Sequence, residues 1–184
     1  MFVEKRNFLP TNEFNNSFKQ ILANDTVPWF YSKNTAYDTA TDDQSKWDFS
    51  FSNVVYDQGQ PTSKLGEHCE TLLRRICIDN NLKLKKILRI RLGLITKTPT
   101  SVIHNPHVDF EVPHLTALYY LSTTNGPTIF YNQTFPNNFL LTEQVRVNCE
   151  ENKVVIFNGM QYHASCSQTD VKQRVAINFN FIAE

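Results

Sequence analysis

Histidine is scarce in this chain, with five residues at positions 68, 104, 107, 114 and 163. Two of them fall in the segment Ile103-His104-Asn105-Pro106-His107-Val108-Asp109. In an extended chain His107 and Asp109 share a face, their Cα atoms about 6.6 Å apart. An imidazole and a carboxylate so placed can close on one metal ion, and a third ligand from a distant strand would complete the set. His163 is the sole histidine of the C-terminal third and follows the apolar run Val154–Asn158 and the turn residues Asn158-Gly159. Two His and one carboxylate on one face of an octahedron is the arrangement that holds non-haem Fe(II) and leaves open positions opposite. Eleven residues later stands Arg174, at the start of the last apolar-alternating segment. A guanidinium opening a cavity-facing row calls for an anion, and bidentate pairing with a carboxylate is its best-matched use.

These residues need elements to hold them. Phe14, Phe18, Ile21 and Leu22 follow Thr11 with helical spacing, so a helix capped by Thr11 and stopped at Asn24-Asp25 is expected. A strand is expected at Pro28–Tyr31, a polar loop over 32–46, and a half-buried strand over Trp47–Tyr56. Leu65, Cys69, Leu72, Leu73 and Ile76 make one apolar face of a helix over 63–79. From residue 84 the period changes to two: Leu88, Ile90, Leu92 and Leu94 share a side, and Leu115–Leu121, Thr128–Tyr131, Val145–Val147 and Lys153–Asn158 follow as strands. The last, Arg174–Ile182, puts Val175, Ile177, Phe179 and Phe181 on one side and Arg174, Ala176, Asn178 and Asn180 on the other. Two helices and then many short strands predict a mainly β sandwich or barrel braced by helices on one side. The polar row of the last strand suits a cavity better than a dry core.

Composition bounds the function. The 184 residues carry 18 basic and 18 acidic side chains, a balance that argues against a nucleic-acid partner. Five glycines are too few for a glycine-rich phosphate loop, and the four cysteines form no CxxC pair. No apolar run reaches the roughly 20 residues of a membrane span, and Met1–Arg6 has no apolar core behind its charges, so the expectation is a complete cytoplasmic chain forming one domain. Within it, residues 1–83 serve as helical and strand support and 84–184 as the β core.

The set His107-Val108-Asp109, His163 and Arg174 resembles the HxD…H…R/K signature of Fe(II)/2-oxoglutarate-dependent dioxygenases. The similarity is nearer to the prolyl-4-hydroxylase-like branch, in the blocks Thr116-Ala117-Leu118-Tyr119-Tyr120-Leu121, Asn125-Gly126-Pro127-Thr128-Ile129-Phe130 and Arg174-Val175-Ala176-Ile177-Asn178-Phe179. It covers about residues 85–182. The resemblance implies a double-stranded β-helix, or jelly roll. It implies Fe(II) on His107, Asp109 and His163, and 2-oxoglutarate and O2 as cosubstrates. Arg174 would hold the far carboxylate, with help from Tyr120 and with Thr116 and Leu118 on the same strand face. The implied reaction couples oxidative decarboxylation of 2-oxoglutarate to succinate and CO2 with hydroxylation of an unidentified peptidyl residue or small molecule. Two departures stand out: one glycine and a proline precede Thr128 where relatives often have two glycines, and Lys97-Thr98-Pro99-Thr100 lacks the tyrosine often found there. Arg89 and Arg91 are candidates to replace its contact, though a solvated face is the commoner use of such a pair. Glu111 continues the row of His107 and Asp109, toward the rim. His104 fits an entrance or supporting role, and His114 and His68 fit structural ones. Two other readings compete: a cupin-type metalloenzyme without 2-oxoglutarate, which needs no dicarboxylate anchor such as Arg174, and a non-enzymatic jelly-roll binding module.

Overall fold

The computed structural model describes residues 1–23, 27–36, 47–136 and 140–184. Its elements run β1 (Phe2–Lys5), α1 (Thr11–Asn16), α2 (Lys19–Ala23), β2 (Phe30–Ser32), β3 (Ser50–Asp57), β4 (Gln60–Pro61), α3 (Lys64–Ile78), β5 (Leu84–Thr96), β6 (Leu115–Tyr120), β7 (Thr124–Thr134), β8 (Glu143–Cys149), β9 (Lys153–Asn158), β10 (Gln161–Ser165) and β11 (Gln173–Ala183). The larger sheet has the order β1-β9-β6-β11-β5-β3-β2, with β4 beside β3, and the smaller has β10-β7-β8. Every pairing is antiparallel. Two facing antiparallel sheets with helices outside the larger one are the jelly roll expected from the sequence.

The period-two pattern of β11 explains this layering. Val175, Ile177, Phe179 and Phe181 are fully buried on the helix side, in one cluster with Phe14, Phe18, Leu72, Leu73, Ile76, Leu92, Tyr119 and Ile156. Burying each such apolar side chain contributes about 1.5–3 kcal/mol, so this layer carries much of the fold's stability. A second cluster lies between the sheets, from Leu118, Tyr120, Phe130, Val147, Cys149, Val155, Phe157 and Ala176. It fills one part of the inter-sheet space, and polar side chains of β5 and β11 line the rest.

The helix α3 lies within the expected span 63–79 and is one residue shorter at each end: Ser63 is its N-cap, its hydroxyl accepting from the Gly66 N–H, and the buried residues Cys69, Leu72, Leu73, Ile76 and Cys77 form one stripe. The first helix differs from expectation. It is split into α1 and α2, and its N-cap is Pro10, with Thr11 already helical and making no cap bond. Proline pre-sets the backbone at such a start and has no N–H to lose. The stop expected at Asn24-Asp25 and most of the loop expected at 32–46 lie outside the described residues. The N-terminal segment docks through Asn152, which holds a positive φ of 60° in the β8–β9 turn. Its side chain accepts from Leu9 N–H and the Tyr119 hydroxyl and donates to Leu9 C=O. No described helix is long and apolar enough to cross a membrane.

Candidate functional site

The register of the large sheet lays its inward-facing residues out in rows. Arg174 pairs with Ile95; Ser52, Gly93, Ala176 and Tyr120 form the next row; Arg91, Asn178 and Leu118 the next; Arg89, Asn180 and Thr116 the last. Opposite them, β10 brings His163 beside Phe130, and an isolated bridge pairs His107 with His163. The open cleft between has His107, His163, Arg174, Arg91, Asn178, Thr128 and Leu118 in its wall.

The three expected ligands converge. The His107 and His163 rings lie 4.7 Å apart between centroids, and His163 Nε2 is 3.7 Å from Asp109 Oδ2. Each ring is held by its other nitrogen: His107 Nδ1 donates to Asn105 C=O at 3.0 Å and His163 Nδ1 to Gln161 C=O at 3.1 Å. A carbonyl can only accept, so Nδ1 carries the proton and Nε2 is the nitrogen that could ligate a metal. Burial, reinforced by His107 and opposed by Asp109, pushes His163 down to about 4, which keeps it neutral at physiological pH. Two imidazoles so oriented beside a buried carboxylate are a donor set that suits a divalent transition metal.

Asp109 is nevertheless fully engaged by the protein. Arg89 Nη2 donates to its Oδ1 at 2.6 Å, and the amides of Asn178 and Asn180 both donate to Oδ2 at 3.0 Å. Burial alone would raise its carboxyl; His163, His107, Arg89 and Arg91 outweigh that and hold it far below the ordinary range. As the side chains stand, no three His, Cys, Asp or Glu of the described residues form a closed metal cage. The Asn amides occupy the lone pairs of Oδ2, so a metal there displaces one of them.

Arg174 is buried at 5% exposure. Its Nε donates to Gly126 C=O at 2.9 Å and Nη2 to Thr128 Oγ1 at 2.8 Å, and the guanidinium lies over the Tyr120 ring at 5.6 Å. Tyr120 joins the same group through its hydroxyl and Thr128 Oγ1, 2.7 Å apart. Leu118 lines the cleft, whereas Thr116 accepts from the Asn180 amide at 3.2 Å behind Asp109.

The remaining sequence candidates fall into distinct places. Arg89 pairs with Asp109, and Arg91 stands in the cleft wall, so neither belongs to a simple solvated face. Glu111 is exposed. His104 is buried with Nδ1 2.9 Å from Ser165 Oγ, and burial pushes it down to about 4, with Asp48 opposing and Arg174 and His107 adding to the shift. His114 bonds Val112 C=O and packs against Gly159, where any Cβ would collide with the imidazole. His68 lies beside the Phe18 ring. Thr128, Gly93 and Ser165 were not singled out from sequence. Gly93 carries a signal, since it continues the inward face of Arg89 and Arg91 at a position where the strand's other residues all carry side chains. A Cβ there would meet nothing within 4 Å.

No family model and no curated protein matches the sequence. Solved structures do match in fold. The chain superposes on a prolyl-4-hydroxylase from Pseudomonas putida with a TM-score of 0.57 at 13% identity, covering 98% of this chain and 92% of that one. It matches a 2OG-Fe(II) oxygenase family oxidoreductase from Burkholderia pseudomallei with a TM-score of 0.62 at 13% identity, covering 98% and 84%. HygX from Streptomyces hygroscopicus, solved with nickel, 2-oxoglutarate and hygromycin B bound, matches with a TM-score of 0.59 at 13% identity, covering 98% and 82%. The fold is therefore the jelly roll that these oxygenases share.

Proposed function

We propose that this chain is a 2-oxoglutarate-dependent Fe(II) oxygenase that hydroxylates a peptidyl residue or a small molecule. The observation that carries the reading is the gathering of His107, Asp109, His163 and Arg174 in one cleft of this fold. His107 and His163, through Nε2, and Asp109 would hold the metal; Arg174, with Thr128, would hold the distal carboxylate of 2-oxoglutarate. When bound, Fe(II) and the cosubstrate supply oxygen activation, coupling decarboxylation to succinate and CO2 with hydroxylation.

The chain's own residues do the positioning. Two bonds and the Tyr120 face hold the Arg174 guanidinium in place before ligand arrives, so little side-chain freedom is lost on binding. The Nδ1 bonds of both histidines set ring orientation, and Arg89 orients Asp109. Leu94, Ile95 and Leu118 give part of the cleft an apolar wall that limits water. A buried arginine in the cleft favours this reading over a cupin-type site, which needs no dicarboxylate anchor.

Anaerobic addition of Fe(II) and 2-oxoglutarate is expected to give a weak visible charge-transfer absorption. Asp109→Ala should abolish it, and Arg174→Met should shift its 2-oxoglutarate dependence to higher concentration. A metal-loaded wild type that gives no such band at excess cosubstrate would overturn the proposal.

A further inference from the structure

The cleft holds a second guanidinium that acts on Asp109 only through its charge and makes no hydrogen bond in the roles above. Arg91 lies on the rung of β5 that faces Asn178 of β11, two residues from Gly93. Its Nε is buried without a partner, and no hydrogen bond or ion pair among the described residues reaches its guanidinium. On the same rung the Asn178 amide donates to Asp109, which turns Oδ1 the other way, and that oxygen is also buried without a partner. An unpaired donor and an unpaired acceptor thus flank one stretch of cleft wall. Leaving both unmade is unfavourable, and a ligand carrying the complementary groups relieves both.

Charge indicates what that ligand is. The cleft and the residues bonded to its wall carry three guanidinium groups, Arg91, Arg174 and the Asp109-bound Arg89, against two carboxylates, Asp109 and Asp48, the latter accepting from the N–H of cleft-lining Thr35. One positive charge is left over. A divalent metal and the dianion of 2-oxoglutarate cancel each other, so loading the site leaves that charge in place. Arg89 is matched to Asp109 and Arg174 is committed to the cosubstrate, which leaves Arg91.

Resting on the function proposed above, we propose that Arg91 binds a carboxylate of the prime substrate while Asn178 Oδ1 accepts from a neighbouring N–H. The substrate class is then a small monocarboxylate with an α-amino or α-amido group, a free or N-acylated amino acid, in preference to a residue within a peptide chain. Gly93, whose missing side chain leaves open space beside this rung, makes room for it.

The test uses leucine, N-acetylleucine and N-acetylleucinamide as probes, with binding followed by saturation-transfer NMR and calorimetry on the Zn(II)- and 2-oxoglutarate-loaded protein, which cannot turn over. Both carboxylates are expected to bind wild type about ten-fold or more tightly than the amide, and Arg91→Met to erase the preference. Equal binding of acid and amide, or a preference that survives Arg91→Met and Arg91→Gln, would overturn the assignment. In a parallel titration, 2-oxoglutarate affinity should fall about ten-fold in Arg174→Met and less than about two-fold in Arg91→Met. Equal losses would assign Arg91 to the cosubstrate and overturn the proposal. Both Arg91 variants should melt within about 4 °C of wild type, because losing the attraction of Arg91 for Asp109 is set against removing a part-buried cation that makes no hydrogen bond; a larger drop would make Arg91 structural and overturn the proposal. Failure of wild type to bind Zn(II) and 2-oxoglutarate would sink the oxygenase reading instead, and the acid-over-amide preference can then be read on the metal-free protein.

Discussion

Arg89 offers a test of how Asp109 is held. Its guanidinium lies 2.6 Å from Asp109 Oδ1, with the two side chains 22% and 3% exposed. Its Nε and Nη2 also reach Asn180 Oδ1, at 3.3 and 3.1 Å. Removing one partner of a buried ion pair costs about 3–5 kcal/mol, mostly because a charge is stranded. Two features lower that here: Asp109 keeps two amide donors, and Arg89 is partly wetted. Arg89→Met should therefore destabilise by about 2–3 kcal/mol, a Tm lower by about 4–12 °C for a chain of this length. In Arg89→Met/Asp109→Asn the stranded charge is gone, and most of the loss should return. If Asp109 is a metal ligand, Zn(II) gives it a new cationic partner, so Zn(II) should raise the Tm of Arg89→Met more than that of wild type and leave the double variant little changed. Differential scanning calorimetry with and without Zn(II) reads all of this. A single variant that melts within about 1 °C of wild type would refute the pairing argument. Equal Zn(II) stabilisation of the single and double variants would refute the role of Asp109 toward metal.

Three further outcomes are expected. His104 is held at about 4 in the folded chain against an ordinary 6.5. The unfolded chain therefore takes a proton below pH 6.5 that the folded chain refuses, and this stability is complete above 6.5 and lost as pH falls toward 4. Urea unfolding should show a decline approaching about 1.4 kcal/mol per pH unit from this residue, and His104→Asn should reduce the slope. Gly159→Ala drives a methyl into the His114 ring and should cost about 1–3 kcal/mol, while Gly93→Ala, with open space around it, should stay within about 1 kcal/mol of wild type; urea midpoints compare the two. Asn152→Ala removes bonds to Leu9 and Tyr119 and leaves a non-glycine at positive φ, so a loss of about 3–4 kcal/mol is expected, with faster amide exchange at Leu9.

The residue types and their parity were legible in the chain itself. The alternation of Arg174–Ile182 assigned Val175, Ile177, Phe179 and Phe181 to the packed side and Asn178 and Asn180 to a polar interior, because a strand's side chains alternate whatever it pairs with. The apolar stripe of α3 was equally local. What no local pattern carried was the identity of the neighbours. His163 follows the strand and turn that its sequence shows, but that pattern does not reveal that it lies in a further strand, β10, whose five residues become a strand by pairing with β7. Arg89 and Arg91 look alike in sequence, two cations on one face of one strand. Only the folding of the β5–β6 connection back over the sheet gives Arg89 a carboxylate partner, Asp109, and leaves Arg91 at the cleft. Thr128, which ties Arg174 to Tyr120, is an ordinary strand threonine until β7 is folded over the large sheet. A strand's own residues decide which way each side chain points, while what it meets there depends on chain segments tens of residues away, and charge pairing and open space are properties of that meeting.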